Sequence, residues 1–110
     1  MKPQAFVTEL DRALPGFADY SESSENLFDR ETSCGVFAAC SHFVRERPVP
    51  SECWPRLATI LNRVATGSDA SAAEAACACF LEHLADPAHP IKPFLDGEAL
   101  RFWTMWEPTG

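Results

Sequence analysis

A thiol and an imidazole close together in the sequence are the residues best suited to chemistry in this chain of 110 residues. Cys40 and His42 are two positions apart, and these residue types can serve as nucleophile and general base. On a helix, residues two positions apart point about 200° away from each other, and only Cys40 belongs to an apolar stripe. The two side chains therefore cannot exchange a proton locally, and we expect no catalysis from them.

Ligands that zinc prefers occur in a second group, formed by Cys77, Cys79 and His83. Only Cys79 and His83, four positions apart, face the same side of a helix, and two ligands do not complete a tetrahedral site. The sequence also has no phosphate-binding loop, no glycine-rich dinucleotide motif and no nucleophile elbow. We therefore expect no enzymatic activity, no metal ion and no cofactor.

The cysteines and the N-terminus indicate in which cellular compartment the protein is located. The five cysteines form an odd set without any C-x-x-C pair, and each lies within an apolar helical pattern, so we expect reduced, buried thiols. The N-terminus lacks the apolar stretch of a signal peptide, and the longest apolar run, residues 75–81, is far shorter than the roughly 20 residues that span a bilayer. These features predict a cytoplasmic protein that does not enter membranes.

Composition and charge limit the fold class and the partners. Sixteen alanines and nine leucines against only seven valines and isoleucines favour helix over strand. With 16 Asp and Glu against 9 Lys and Arg, the formal net charge is -7, which argues against binding to nucleic acid or to anionic membranes. We expect a single all-α domain over residues 1–110.

Apolar residues at helical spacing predict the individual helices. Residues 3–14 carry one apolar stripe, which Pro15 and Gly16 end, and the next helix is expected from about Ser33 to Glu46. Whether this second helix reaches back to Glu25 stays open, because a glycine inside a helix costs about 1 kcal/mol relative to alanine. Four to six helices should pack as an antiparallel bundle or a short stack of helical hairpins. Further helices are expected after caps at Ser51, at Ser68 or Asp69, and at Asp96 with Gly97.

An acid-rich segment, residues 19–31, is the strongest candidate for partner binding. Its only base is Arg30, and its first half is too polar for the core, so we expect a surface loop that leads into an apolar pattern beginning at Leu27 and Phe28. Such a segment is either an ordinary solvated face or a surface that meets a basic partner, for which a tyrosine among carboxylates is a common hot-spot composition. The candidate partner-binding residues are Asp19, Tyr20, Glu22, Glu25, Asp29 and Glu31.

Three aromatic residues of the last helix, Phe102, Trp103 and Trp106, allow two interpretations. A short terminal helix needs large apolar anchors to dock, which favours a role in the core. The alternative is an exposed aromatic patch that binds a partner.

Two segments of the C-terminal half carry a family resemblance. Residues 76–84 read ACACFLEHL, and after a short loop with prolines, residues 94–108 read FLDGEALRFWTMWEP. Together they resemble a helical family of small cytosolic bacterial proteins that have an FLE-x-L helix and a closing helix with tryptophan. Residues 24–46 fit the pattern of this family more loosely.

Some members of that family are immunity proteins of polymorphic-toxin and contact-dependent growth inhibition systems. The resemblance therefore implies a monomer that binds and neutralises a cognate toxin domain, one to one, without cofactor or catalytic residues. A basic nuclease toxin would suit an inhibitor of net charge -7, because acidic side chains can occupy its Lys and Arg groups and speed association. The alternative function is a helical adaptor module with a different protein partner.

Overall fold

The N-terminal segment forms two helices joined by a tight glycine turn. In the computed structural model, which describes residues 2–108, helix α1 spans Pro3–Ala13 and helix α2 spans Phe17–Glu22. Proline suits the first turn of α1, because a backbone N–H at that position would have no partner within the helix. Gly16, whose φ is 98°, makes the turn between the two helices in a conformation that favours glycine.

Helix α2 shows that the prediction of a surface loop from residue 19 onward was wrong at its start. Phe17 and Tyr20 lie three positions apart on one face of α2, and their ring centroids lie 5.7 and 5.3 Å from that of Phe43. A helix of six residues is too short to be stable alone. Its formation therefore depends on the packing of these aromatic rings, which a mainly polar sequence pattern did not reveal.

Helix α3 spans Ser33–Glu46, as predicted, and it does not extend back to Glu25. The Thr32 hydroxyl oxygen accepts a hydrogen bond from the backbone N–H of Gly35 at 2.9 Å. This bond satisfies one of the donors that have no partner in the first turn of a helix, and it sets the starting point of α3.

Helix α4 spans Cys53–Thr66 and ends at Gly67, the residue predicted to end it. The residue before its first turn is Glu52, so the prediction of a cap at Ser51 was wrong by one position. Pro55 lies in the first turn, where its missing N–H does not interrupt the helical hydrogen bonds.

Helix α5 covers residues 70–84 in three consecutive parts. It is α-helical over Ala70–Ala76, π-helical over Cys77–Leu81 and α-helical again over Glu82–Leu84. Asp69, one of the two predicted caps, accepts a hydrogen bond from the N–H of Ala72 at 3.1 Å. The π-helical turn and the first part of α5 both pack against α3.

The C-terminal segment begins with a 3-10 turn over Lys92–Phe94 and continues into helix α6, Gly97–Trp106. Asp96 occupies the N-cap position of α6, as predicted. Trp103 is fully buried, which confirms a core role for that residue.

Six helices surround one apolar core within residues 2–108, and this part of the chain contains no strand, so the predicted all-α fold and helix number are confirmed. Helix α1 contacts α2, α3 and α4, while α5 contacts α3, α4 and α6. Within the same residues, no helix combines the length and the apolar character that crossing a bilayer would require. The largest fully buried side chains include Phe6, Phe17, Phe37, Phe80 and Trp103.

Candidate partner-binding surface

The structure divides the acid-rich segment between helix α2 and a following loop, residues 23–32, which we call the acid-rich loop. All five of the predicted acidic residues are exposed. Glu22, Asp29 and Glu31 line one surface depression of about 390 Å³ together with Arg30, so the fold brings these three carboxylates and one base together. Asp19 lies outside the depression on α2, and Glu25 takes part in an ion pair instead.

Short polar side chains hold the acid-rich loop in shape. The Asn26 amide donates to the backbone carbonyl of Ser21 at 2.8 Å, and its oxygen accepts from the N–H of Phe28 at 2.9 Å. The Asp29 carboxylate accepts from the N–H of Glu31 at 2.8 Å. Asn, Asp and Ser form turns through such bonds between side chain and backbone. The loop is therefore ordered without regular secondary structure.

Gly35, in the first turn of α3, allows the acid-rich loop to lie against this helix. A Cβ atom at this position would stand only 1.8 Å from the backbone carbonyl oxygen of Asp29. This close approach explains a glycine inside a helix, where it costs about 1 kcal/mol relative to alanine. The backbone of the loop, and with it the carboxylate of Asp29, is thus placed by α3.

Tyr20 does not lie on the candidate surface, which corrects its expected role as an exposed hot spot. Only 5% of its surface is exposed, and its ring stacks on His42 at a centroid distance of 6.3 Å. The buried hydroxyl has no hydrogen-bond partner among the described residues. Loss of water raises the pKa of Tyr20, an effect that the nearby Arg47 guanidinium opposes. The ring therefore supports helix α2 from within.

Arg47, which follows α3, connects the acid-rich loop to this aromatic cluster. Its guanidinium donates a hydrogen bond to Glu25 at 2.5 Å, and its Cζ atom lies 5.1 Å from the centroid of the Tyr20 ring. The role of Arg47 cannot be predicted from the sequence, because no local pattern connects it with Glu25, 22 positions away. The ion pair also compensates one of the five carboxylates, so the charge offered to a partner comes from the others.

Leu27 and Phe28 are the exposed apolar residues of the acid-rich loop. The side chain of Leu27 is 91% exposed and that of Phe28 is 40% exposed. Both were predicted to begin the buried face of a helix, and the structure places both in the loop instead. Phe28 lines the depression together with the three carboxylates. Exposed apolar side chains beside polar groups are common in protein interfaces.

The cysteines differ from the predicted set of reduced thiols. Cys34, at the start of α3, and Cys79, in the π-helical turn of α5, form a disulfide, so the prediction was wrong for this pair. Cys40 is a free and fully buried thiol, and desolvation raises its pKa strongly, which keeps it from acting as a nucleophile. Within residues 2–108, no group of three potential metal ligands is found.

A second exposed apolar surface lies at the end of helix α6. Trp106 is 49% exposed and Met105 is 70% exposed, whereas Phe102 is partly buried against the core. A core role therefore applies to Trp103, whereas an exposed aromatic surface that could bind a partner includes Trp106.

Comparisons with known proteins give no match, because no protein-family model, no curated protein and no solved structure is significantly similar to this chain. The resemblance to immunity proteins therefore remains an inference from residues 76–84 and 94–108. What the protein binds has to be inferred from its exposed surface and its charge.

Proposed function

We propose that this protein binds a basic protein partner through the acid-rich loop and neutralises it, as an immunity protein neutralises a cognate toxin domain. The complex is one to one and needs no cofactor, and it forms in the cytoplasm. The observation that carries the proposal is Leu27, whose side chain is 91% exposed in the loop that also carries the carboxylates of Asp29 and Glu31, neither of them in an ion pair with a described residue.

Charge supports a basic partner. Glu22, Asp29 and Glu31 share one depression with a single base, Arg30, and no described cation lies within ion-pair distance of any of the three carboxylates. The depression therefore keeps a net negative charge. Carboxylates grouped in this way attract a positively charged surface, and this attraction speeds association.

An exposed apolar side chain next to such a surface can slow dissociation of the complex, whereas the grouped charges mainly speed association. A side chain that is fully desolvated in a pocket of the partner can contribute about 2 kcal/mol or more to the binding free energy, as interface hot spots do. Leu27 is suited to this role, because its side chain is 91% exposed and does not belong to the hydrophobic core. Leu27 would bind an apolar pocket of the partner while Glu22, Asp29 and Glu31 pair with its Lys and Arg side chains.

A nuclease is the class of toxin that fits this chemistry. Nucleases carry Lys and Arg groups that bind phosphates, and carboxylates that occupy those groups exclude the nucleic acid. The inhibitor itself does not bind nucleic acid in this proposal, because its net charge of -7 repels the phosphate backbone.

The decisive experiment is co-expression with the toxin-like domain encoded next to this gene, followed by co-purification. The wild-type protein is expected to restore growth and to form a stable complex with the toxin domain. Leu27→Asp should abolish rescue, whereas the matched control Met105→Asp, which also adds a charge at an exposed apolar residue, should rescue fully. Absence of rescue and of a complex with the wild-type protein would rule out the immunity function.

A second candidate, a helical adaptor module, is favoured by the exposed Met105 and Trp106 of helix α6. An adaptor that binds through this surface would lose its partner in Met105→Asp and keep it in Leu27→Asp. Its partner would also be harmless when expressed alone, which separates the two functions in the same experiment.

A further inference from the structure

A groove of about 350 Å³ between helices α1 and α4 collects positive charge in an otherwise acidic protein. Arg12 reaches it from α1, while Arg56 and Arg63 reach it from α4. None of its residues belongs to the acid-rich loop or to the exposed surface of α6. The groove is therefore separate from the acid-rich loop and from the exposed surface of α6.

Two of the three guanidinium groups are uncompensated. Arg63 donates to the carboxylate of Glu9, which also lines the groove. Among the described side chains, no carboxylate lies within ion-pair distance of Arg12 or Arg56. The groove consequently keeps two positive charges that a ligand can pair with.

The floor of the groove is apolar. Ala13 and Ile60, which are 2% and 8% exposed, belong to the hydrophobic core and also line the groove. Thr59 adds an exposed side chain, but its hydroxyl donates to the backbone carbonyl of Pro55 at 2.9 Å. Charged groups above an apolar floor suit a ligand that has an anionic end and an apolar body.

We infer that this groove binds a small organic phosphate. A phosphate monoester carries close to two negative charges at neutral pH, which matches the two uncompensated guanidinium groups of Arg12 and Arg56. Guanidinium groups also bind phosphate oxygens through paired hydrogen bonds, and arginine suits phosphate recognition for this reason. The organic part of the ligand covers Ala13 and Ile60.

The test uses 1-naphthyl phosphate as the probe and isothermal titration calorimetry as the readout. We expect it to bind at one site per chain, and we expect inorganic phosphate and 1-naphthol, which each carry half of the recognised chemistry, to bind at least tenfold more weakly. Absence of measurable binding, or equal binding of 1-naphthol, would overturn the inference.

Two double variants test the location of the site. Arg12→Gln with Arg56→Gln should weaken the binding of 1-naphthyl phosphate at least tenfold. Arg45→Gln with Arg101→Gln removes the same charge from other surfaces, so it should change the affinity less than twofold. If both double variants lose the same affinity for 1-naphthyl phosphate, the effect comes from net charge alone, and the ligand does not bind in the groove. Circular dichroism and urea unfolding of both variants show whether the fold is retained.

Discussion

Arg47 covers Tyr20, with its Cζ atom 5.1 Å from the centroid of the tyrosine ring, while the same guanidinium donates a hydrogen bond to Glu25 at 2.5 Å. The Arg47 side chain thus packs on the aromatic cluster of α2 and also binds a carboxylate of the acid-rich loop. The two contacts differ in environment, because the ring is buried and the ion pair is exposed.

Removal of Arg47 should therefore cost more stability than removal of its ionic partner. Arg47→Ala is expected to lower the free energy of unfolding by about 1–2 kcal/mol, through lost cover and cation–π attraction at Tyr20. Glu25→Gln breaks only an exposed ion pair and should cost less than about 1 kcal/mol. Urea unfolding measures both, with Arg45→Ala as the control for loss of a neighbouring arginine. Equal losses in the Arg47 and Glu25 variants would contradict the structural role of the ring contact.

The three grouped carboxylates should control how fast the partner binds. We expect the triple variant Glu22→Gln, Asp29→Asn and Glu31→Gln to associate about tenfold more slowly at low salt and to lose most of the salt dependence. The matched control changes Glu46, Glu52 and Glu74 to Gln, which alters net charge equally at exposed positions elsewhere. Stopped-flow association with the partner measures both rates. A similar slowing in the control variant would assign the effect to net charge alone.

Gly35 should be intolerant of even the smallest side chain. Gly35→Ala gains helix propensity of about 1 kcal/mol, but its Cβ would meet the Asp29 carbonyl oxygen and displace the acid-rich loop. We expect a net loss of about 1–3 kcal/mol in unfolding free energy, together with weaker partner binding. Gly67→Ala is the control, since its φ is -71° and its closest contact is 3.2 Å, so its effect should be smaller. An unchanged urea midpoint in Gly35→Ala would show that the loop is not held against α3.

The pairing of Cys34 with Cys79 should make stability depend on redox conditions. A crosslink over 45 residues restricts the unfolded chain, and the chain-entropy model gives about 4 kcal/mol for a loop of this length. The double variant Cys34→Ser with Cys79→Ser should lower the unfolding free energy by about 2–4 kcal/mol, and dithiothreitol should have the same effect on the wild type.

Cys77→Ser is the control for this pair, because it removes a free thiol two positions from the bond. It should stay sensitive to dithiothreitol, while the double variant should not respond. If dithiothreitol leaves the urea midpoint of the wild-type protein unchanged, the disulfide does not stabilise the fold. In the cytoplasm, where we propose that the protein acts, thiols are kept reduced, so the chain should have the stability of its reduced form there.

His89 should make the fold less stable in mild acid. Its ring lies 5.0 Å from Trp54 and 5.6 Å from Trp103, between centroids, and its Nδ1 accepts from the N–H of Ile91 at 3.2 Å. Burial lowers the pKa of His89 below its ordinary value of 6.5, and Asp86 only partly opposes this. The unfolded chain therefore takes up the proton first. Stability should be complete above about pH 6.5 and should decline as the pH falls through that value toward the lower pKa of the folded state.

Urea midpoints measured across this range check the prediction. His89→Gln removes the titrating group and should flatten the decline, whereas His83→Gln, at an exposed position, should leave it unchanged. A decline that persists in His89→Gln would assign the pH dependence to another group.

The helical class and most of the helix boundaries can be predicted from the amino-acid sequence alone. Helix α3 has the predicted limits, Ser33 and Glu46, and Asp69, Gly67 and Asp96 mark helix ends as predicted. These features can be predicted because apolar periodicity and helix caps depend on residues three or four positions apart. Such local relationships are present in the sequence itself.

Which residues of the acid-rich segment are exposed and which are buried depends on how the helices pack. Tyr20 is buried because Phe43 and Arg47, more than 20 positions away, come to lie on its ring, and Leu27 is exposed because α3 begins later than its apolar pattern suggests. The pairing of Cys34 with Cys79 likewise requires two helices to meet across 45 positions. No local pattern records such contacts, because they are selected by how whole helices pack around the core.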